Sequence, residues 1–288
     1  MATSAKSSLQ PLMGPPPQSE PFVPNRALGH KGALIINADD WGLDRETTDR
    51  IRECAAKHVI SSASGMVFMA DSERAAALAR EQSIDIGLHL NLTQEFSGQS
   101  VSAQLREHHR RVASFLIRHR LAQIVYHPGL AGSFKYVVSA QLEEFHRIYG
   151  EAPRRIDGHH HMHLCANVLF ANLLPAGTIA RRSFSFTASE KGLVNRMYRG
   201  LVDIVLARRH DISDFFYSLI PIDAPGRLAR ILGLARDFVV EVETHPAQPN
   251  EHAFLTNGDI FRVANGIQVE GRYSLRDASV GTTGPVLS

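Results

Sequence analysis

Four histidines and an acid fall within nine residues, Ile156-Asp157-Gly158-His159-His160-His161-Met162-His163-Leu164. Imidazoles crowded this closely are costly to bury unless a metal or acidic partners satisfy them. Two other stretches carry matching chemistry: the pair Asp39-Asp40, which ends the apolar run 33–38, and His89 inside the run 84–92. A catalytic divalent-cation site takes three or four nitrogen and oxygen ligands from separate elements and keeps a coordination position open. Asp40, His89 and His159 would supply one carboxylate and two imidazoles from three different strand ends. Asp39, expected on another side of its strand end, is then free to take a proton from water or to hold a ligating histidine. His245, in Thr244-His245-Pro246, is the candidate general acid for a leaving group. Metal, base and acid together suit hydrolysis of an unactivated carbonyl.

Blander readings compete at each position. An Asp-Asp pair at a strand end also reads as a helix-capping turn, and a single histidine in an apolar strand as a hydrogen-bonded core residue. The conjunction carries the catalytic reading. No G-x-S-x-G nucleophile motif and no glycine-rich phosphate loop occurs in the sequence. Cleavage of a phosphoester or of another amide is an alternative on the same metal, although two-metal phosphoester sites call for more carboxylates than gather here. A non-catalytic barrel that binds sugar or metal is the other alternative, against which stand Asp39 and His245, groups a binder does not need.

The elements that must position these residues alternate. Ala33 to Ala38 reads as a buried parallel strand, and Asp44 as the N-cap of a helix carrying Ile51, Cys54, Ala55 and Val59. Residues 62–69 and 84–92 read as strands, 71–82 as a helix, and 94–138 as irregular, with a basic cluster at 106–111 and a helical stretch over 114–125. A helix over 141–149 leads into the histidine segment, read as a strand in which alternation turns Asp157, His159, His161 and His163 to one side. Further on come a helix over 167–174, a strand near 179–186, a helix over 193–208, a strand or loop around 213–220, a helix over 225–235 and a last strand over 238–246. Repeated β then α, with Asp39, Asp40, His89, His159 and His245 at C-terminal strand ends, predicts an α/β single domain, a TIM-like (β/α) barrel variant. The pattern alone also allows an open doubly wound sheet.

Composition sets the bounds. The 288 residues are 44% hydrophobic with a formal net charge of +2, enough for a real core and no demand for an acidic partner or nucleic acid. Two cysteines, Cys54 and Cys165, make no disulfide framework and read as small buried hydrophobes. Residues 1–29, rich in Pro, Ser and Gln, read as a disordered leader ahead of a barrel over 30–288. No window reaches transmembrane length, so a cytoplasmic protein is expected, and a homodimer is compatible with the composition. The stretch 113–121 mixes apolar and basic residues; it could touch anionic lipid, but reads first as a cap packed on the barrel.

Asn37-Ala38-Asp39-Asp40-Trp41-Gly42-Leu43, Gly87-Leu88-His89-Leu90-Asn91-Leu92-Thr93, Asp157-Gly158-His159-His160-His161-Met162-His163 and Glu243-Thr244-His245-Pro246 together resemble the four motifs of the YdjC-like carbohydrate deacetylases, the group of the chito-oligosaccharide and hopanoid-associated deacetylases. The resemblance runs over roughly 33–277 and implies a variant TIM-like barrel that removes the acetyl group from an N-acetylated amino sugar with the help of one divalent metal ion. Carried over by position, it implies Asp40, His89 and His159 as ligands, Asp39 as base and His245 as acid. The ion would be Zn2+, which two histidines suit, or Mg2+, which a carboxylate with waters tolerates. Residues 271–277 resemble the family's C-terminal segment, expected to close the barrel. Trp41 stands where the family usually has Phe, and 96–134 fits the family poorly.

Overall fold

The computed structural model describes residues 32–118, 121–187, 190–224 and 226–275; the leader 1–29 lies outside them. In chain order the elements are β1 (Ala33–Trp41), α1 (Arg45–Ala56), β2 (Ser62–Gly65), α2 (Ser72–Gln82), β3 (Ile86–Leu90), α3 (Ala103–Arg118), α4 (Ala131–Tyr149), β4 (Arg155–Gly158), α5 (Ala166–Phe170), β5 (Ile179–Ala180), α6 (Leu193–Ala207), β6 (Phe215–Ser218), α7 (Arg227–Leu234), β7 (Val239–Thr244), α8 (Pro249–Thr256) and α9 (Asp259–Ala264). The strands form one sheet in the order β5-β4-β3-β2-β1-β7-β6, every pair parallel. The two edges approach each other as the sheet curls. Ile179 bridges Asp211, and the Ser185 N–H donates to the Phe216 carbonyl at 2.8 Å. This is the α/β single domain of TIM-like barrel type that the alternation predicts.

Local chemistry sets the boundaries. The Asp44 side chain accepts from the Thr47 N–H at 2.8 Å, which caps α1 as expected. Helix α4 ends at Gly150, whose φ of 82° is a conformation that costs glycine little. Leu105, Val112 and Leu116 recur at helical spacing and bury one face of α3, so the basic cluster at 106–111, expected in an irregular region, is mostly the outer face of a regular helix. Helix α4 likewise begins ten residues ahead of the expected 141, and α8 and α9 were not anticipated.

Two apolar clusters pack outside the sheet, one around Trp41, Ile51, Phe215 and Ile231, the other around Leu88, Phe134, Phe145 and Ile156. The inside is polar. Asn37, Ser64, Asp157, Arg181, Glu241 and Glu243 are all buried there and bond to one another. A lumen filled by ionic side chains needs compensating charge, and that compensation shapes the site above it.

Candidate active site

The strand β1 continues through both acids, and its geometry breaks at the second. Its register against β2 shifts between Ala38 and Trp41, and Asp40 adopts a left-handed φ of 73°. A non-glycine residue in this region costs about 1–3 kcal/mol and persists only where its surroundings impose it, and such strain clusters at functional positions. The consequence here is directional: alternation would turn Asp39 and Asp40 to opposite faces, whereas the bulge lets both point into the same buried site.

The histidine segment is also not the strand expected of it. Strand β4 stops at Gly158, and His159–Leu164 wraps as a tight helical turn with His160 and His161 at φ of 54° and 57°. The wrapping is close: a Cβ at Gly158 would lie 2.9 Å from both the backbone nitrogen and the Nδ1 of His163, so only glycine fits. Period-two sorting therefore fails beyond Gly158, and each histidine takes a separate role. His159 Nδ1 lies 3.0 Å from Asp40 Oδ1. His160 packs at a tilt of 35° against His159, with ring centroids 4.0 Å apart, and meets the Thr93 hydroxyl at 3.1 Å. His161 packs edge-on against Phe184 at 4.5 Å and faces Glu243 at 3.6 Å. His163 is fully buried and donates through Nε2 to the Arg181 carbonyl at 2.8 Å, a structural role.

Strand β3 contributes His89. Its Nδ1 is 2.7 Å from Asp157 Oδ1 and its Nε2 is 3.3 Å from Asp40 Oδ1. Asp157 is held in turn by the Ser64 hydroxyl, which donates to Oδ2 at 2.5 Å. Burial disfavours the charged form of His89, but the negative charges of Asp39 and Asp157, with hydrogen bonds to Asp157 and Asp40, outweigh it and push its pKa up to about 10. For Asp40, burial raises the carboxyl's pKa, and the bonds to His159 and His89 reverse this and hold it well below the usual range.

Ligand atoms of Asp40, His89 and His159 all lie within 4.8 Å of one another. A carboxylate and two imidazoles from three elements match the donor chemistry of a divalent ion, and the hydrogen bond from His89 Nδ1–H to a carboxylate is the kind of support that orients a ligating histidine. Asp39, His89 and Asp157 are equally close. That second grouping already has its cation: the Arg181 guanidinium donates to Asp39 at 2.6 and 2.8 Å and lies 3.2 Å from Asp157.

Arg181 is a site residue that motif reading missed. It is wholly buried, with Nε donating to Glu241 at 2.7 Å and Nη1 3.5 Å from Glu243. Its own carbonyl is fixed by His163. Asp39 also accepts from the Asn37 amide at 2.8 Å, so both its oxygens are oriented. The strand expected near 179–186 is only β5, Ile179–Ala180, and Arg181 follows it directly; the available signal was an arginine at this strand end together with two glutamates spaced by two in β7. Glu243, pushed well above the ordinary carboxyl range by burial and by the charges of Asp39 and Glu241, lines the same wall.

His245 follows β7 directly, and the pairing of Thr244 with Ala38 brings it to the rim beside Asp39. Its loop is pinned by a second residue that motif reading missed. Glu251 Oε2 accepts from the His245 N–H at 2.9 Å and from the Thr244 hydroxyl at 2.8 Å. The other carboxylate oxygen, buried and without a hydrogen-bond partner among the described residues, lies 4.0 Å from His245 Nδ1. All five residues singled out by sequence thus come to one end of the barrel, three of them within ligating reach of each other.

The sequence profile of the YdjC-like proteins matches residues 33–273. A carbohydrate deacetylase from Mus musculus is 31% identical over 154 residues, 50% of this chain and 47% of its own length. A chitooligosaccharide deacetylase from Serratia marcescens is 31% identical over 134 residues, 46% of this chain and 50% of its own. The chain thus spans about half the length of the curated relatives it matches. Among solved structures, a candidate cellobiose-phosphate cleavage protein from Enterococcus faecalis V583 shares the fold with a TM-score of 0.59 at 18% identity, covering 84% of this chain and 97% of that one. With the profile spanning the whole barrel and all four motifs, the chain belongs to the YdjC-like protein family.

Proposed function

We propose that this protein is a metal-dependent hydrolase that removes the N-acetyl group from an N-acetylglucosamine-containing oligosaccharide or glycoconjugate. The observation that carries the reading is the convergence of Asp40, His89 and His159 within ligating distance, with Asp39 and His245 on the same rim. The names of the mouse and Serratia relatives point the same way.

In this reading Asp40, His89 and His159 hold one divalent ion, Zn2+ or Mg2+, which when bound polarises the acetamide carbonyl and makes water more acidic. Asp39, oriented by Arg181 and Asn37, takes the proton of the water that attacks the carbonyl carbon. His245 gives a proton to the amine as the C–N bond breaks, leaving acetate and a free amino sugar. Cys54 and Cys165 are free, buried thiols that call for no oxidising compartment, which supports a cytoplasmic location.

Acetate release from acetylated chito-oligosaccharides in the presence of either metal tests the proposal. Asp39→Asn should lower turnover by about 100-fold or more, the scale of a general base, while metal binding persists. Absence of acetate from every acetylated sugar tried, with the ion demonstrably bound, would reject it.

A further inference from the structure

Helix α6 presents an apolar stripe outward. Leu193, Val194, Met197, Leu201 and Ile204 follow helical spacing along one side, and the first four are 67%, 83%, 60% and 61% exposed. The opposite side, Val202, Asp203 and Leu206, packs on the barrel. Single exposed apolar residues need no explanation, whereas a continuous stripe along a helix marks a docking surface. Its rim is basic. Lys191, Arg208 and Arg209 are exposed around the two ends and Arg196 is half-buried on its flank, none of them in an ion pair with a described carboxylate. Of the acids of 190–211, Asp203 is buried against Arg182, Glu190 accepts from Thr187 and faces Arg230 at 3.6 Å, and Asp211, exposed beyond the C-terminal end of the helix, is tied through its backbone to Thr178 and Ile179.

This charge pattern discriminates between occupants. A second copy of α6 would bring the same cations against these. The chain before residue 32 carries Lys6, Arg26 and Lys31 against one acid, Glu20, and so offers no complement either. An anionic bilayer supplies both an apolar layer and negative headgroups. The helix also borders the site: His161 contacts Phe184 at 4.5 Å, Phe184 contacts Phe186 at 5.9 Å, and Lys191 and Arg199 lie over the Phe186 ring at 5.4 and 4.9 Å. Among the described residues no helix is long and apolar enough to cross a membrane, so contact would be at the surface.

We propose that α6 is an interfacial helix that docks the protein on anionic membrane surfaces, with the rim of the active site alongside. The inference stands independently of the reaction catalysed. The test is co-flotation of the full chain with vesicles of phosphatidylcholine containing phosphatidylglycerol, against phosphatidylcholine alone. Binding is expected to the anionic vesicles, to weaken in high salt, and to fall about tenfold or more in Met197→Glu/Leu201→Glu, where two charges enter the apolar face. Arg208→Gln/Arg209→Gln should weaken binding without touching the stripe, which covers the case in which the first variant misfolds. Failure of the wild type to float, or unchanged binding by both variants, overturns the proposal. So does a concentration-dependent dimer in sedimentation that Met197→Glu/Leu201→Glu dissolves, since a second copy would then own the stripe.

Discussion

His89 stands between two carboxylates that use different edges of its ring: Nδ1 lies 2.7 Å from Asp157 and Nε2 lies 3.3 Å from Asp40. In the first contact Nδ1–H donates to the Asp157 carboxylate, which leaves Nε2 as the edge that faces the other candidate ligands and that must give up its proton before it can ligate. Asp157, from the motif that supplies His159, therefore acts through His89 rather than on an ion.

Asp157→Asn should keep the shape of the contact and lose its charge. The expected result is a fall of about 10- to 100-fold in zinc affinity, the scale on which partners that orient a ligating histidine act. Calorimetric titration of the metal-free protein measures it. Unchanged affinity would remove Asp157 from this role.

Arg181 contacts Asp39, Asp157, Glu241 and Glu243 in a buried space, where its single charge meets a cluster in which burial pushes Glu241 and Glu243 towards the protonated form. Arg181→Met would leave those carboxylates facing one another. Removing one partner of a buried ionic group costs about 3–5 kcal/mol, and that loss should appear in urea unfolding. A change under about 1 kcal/mol would mean that the lumen takes in water or protons freely.

Glu251 separates orientation from binding. Glu251→Gln keeps an oxygen for the Thr244 hydroxyl and the His245 N–H, but puts an amide where the free carboxylate oxygen faces Nδ1. Turnover is expected to fall about 10- to 100-fold with KM and metal affinity unchanged, as for other groups that orient a functional side chain. A rise in KM alone would assign Glu251 to the substrate cleft instead.

Acid should destabilise the fold through histidines away from the rim. Burial pushes His109 and His163 down to about 4, in His163 against the hydrogen bond to the Arg181 carbonyl and in His109 against a hydrogen bond to the Asn91 backbone. Their folded values lie below the unfolded value near 6.5, so the unfolded chain takes up protons first. Stability should be constant above pH 6.5 in this respect and fall as the pH drops from 6.5 towards 4. His109→Leu should flatten that fall in urea midpoints taken across the range, because it removes the titrating ring while keeping an apolar side chain against Phe96, whose ring lies 4.2 Å from that of His109. An identical slope in the variant would exclude His109 as a contributor.

Much of this architecture was legible in one dimension. Short apolar runs ending in Asp, His or Glu, separated by capped amphipathic helices, specify parallel strands with chemistry at their C-terminal ends, because only buried strands tolerate continuous apolar sequence. Asp40, His89 and His159 stand out by their conjunction, because a capping aspartate or a core histidine explains any one of them alone but not three at separate strand ends. The basic cluster at 106–111 misled for the opposite reason: charge was read as irregularity, whereas Leu105, Val112 and Leu116 already marked a helix with one apolar side.

The sequence by itself determined which side chains are present and the alternation of strands and helices up to the end of β4, since periodicity and capping are local properties of the chain. Directions were decided only in three dimensions. The left-handed conformation of Asp40 turns it to the same side as Asp39, and the turn after Gly158 sends His159, His161 and His163 to different partners, where strict alternation would have sorted both groups differently. The pairing of Arg181 with four acids from three strands was also beyond a linear reading, because charge compensation in a closed lumen depends on distances that only the curled sheet creates.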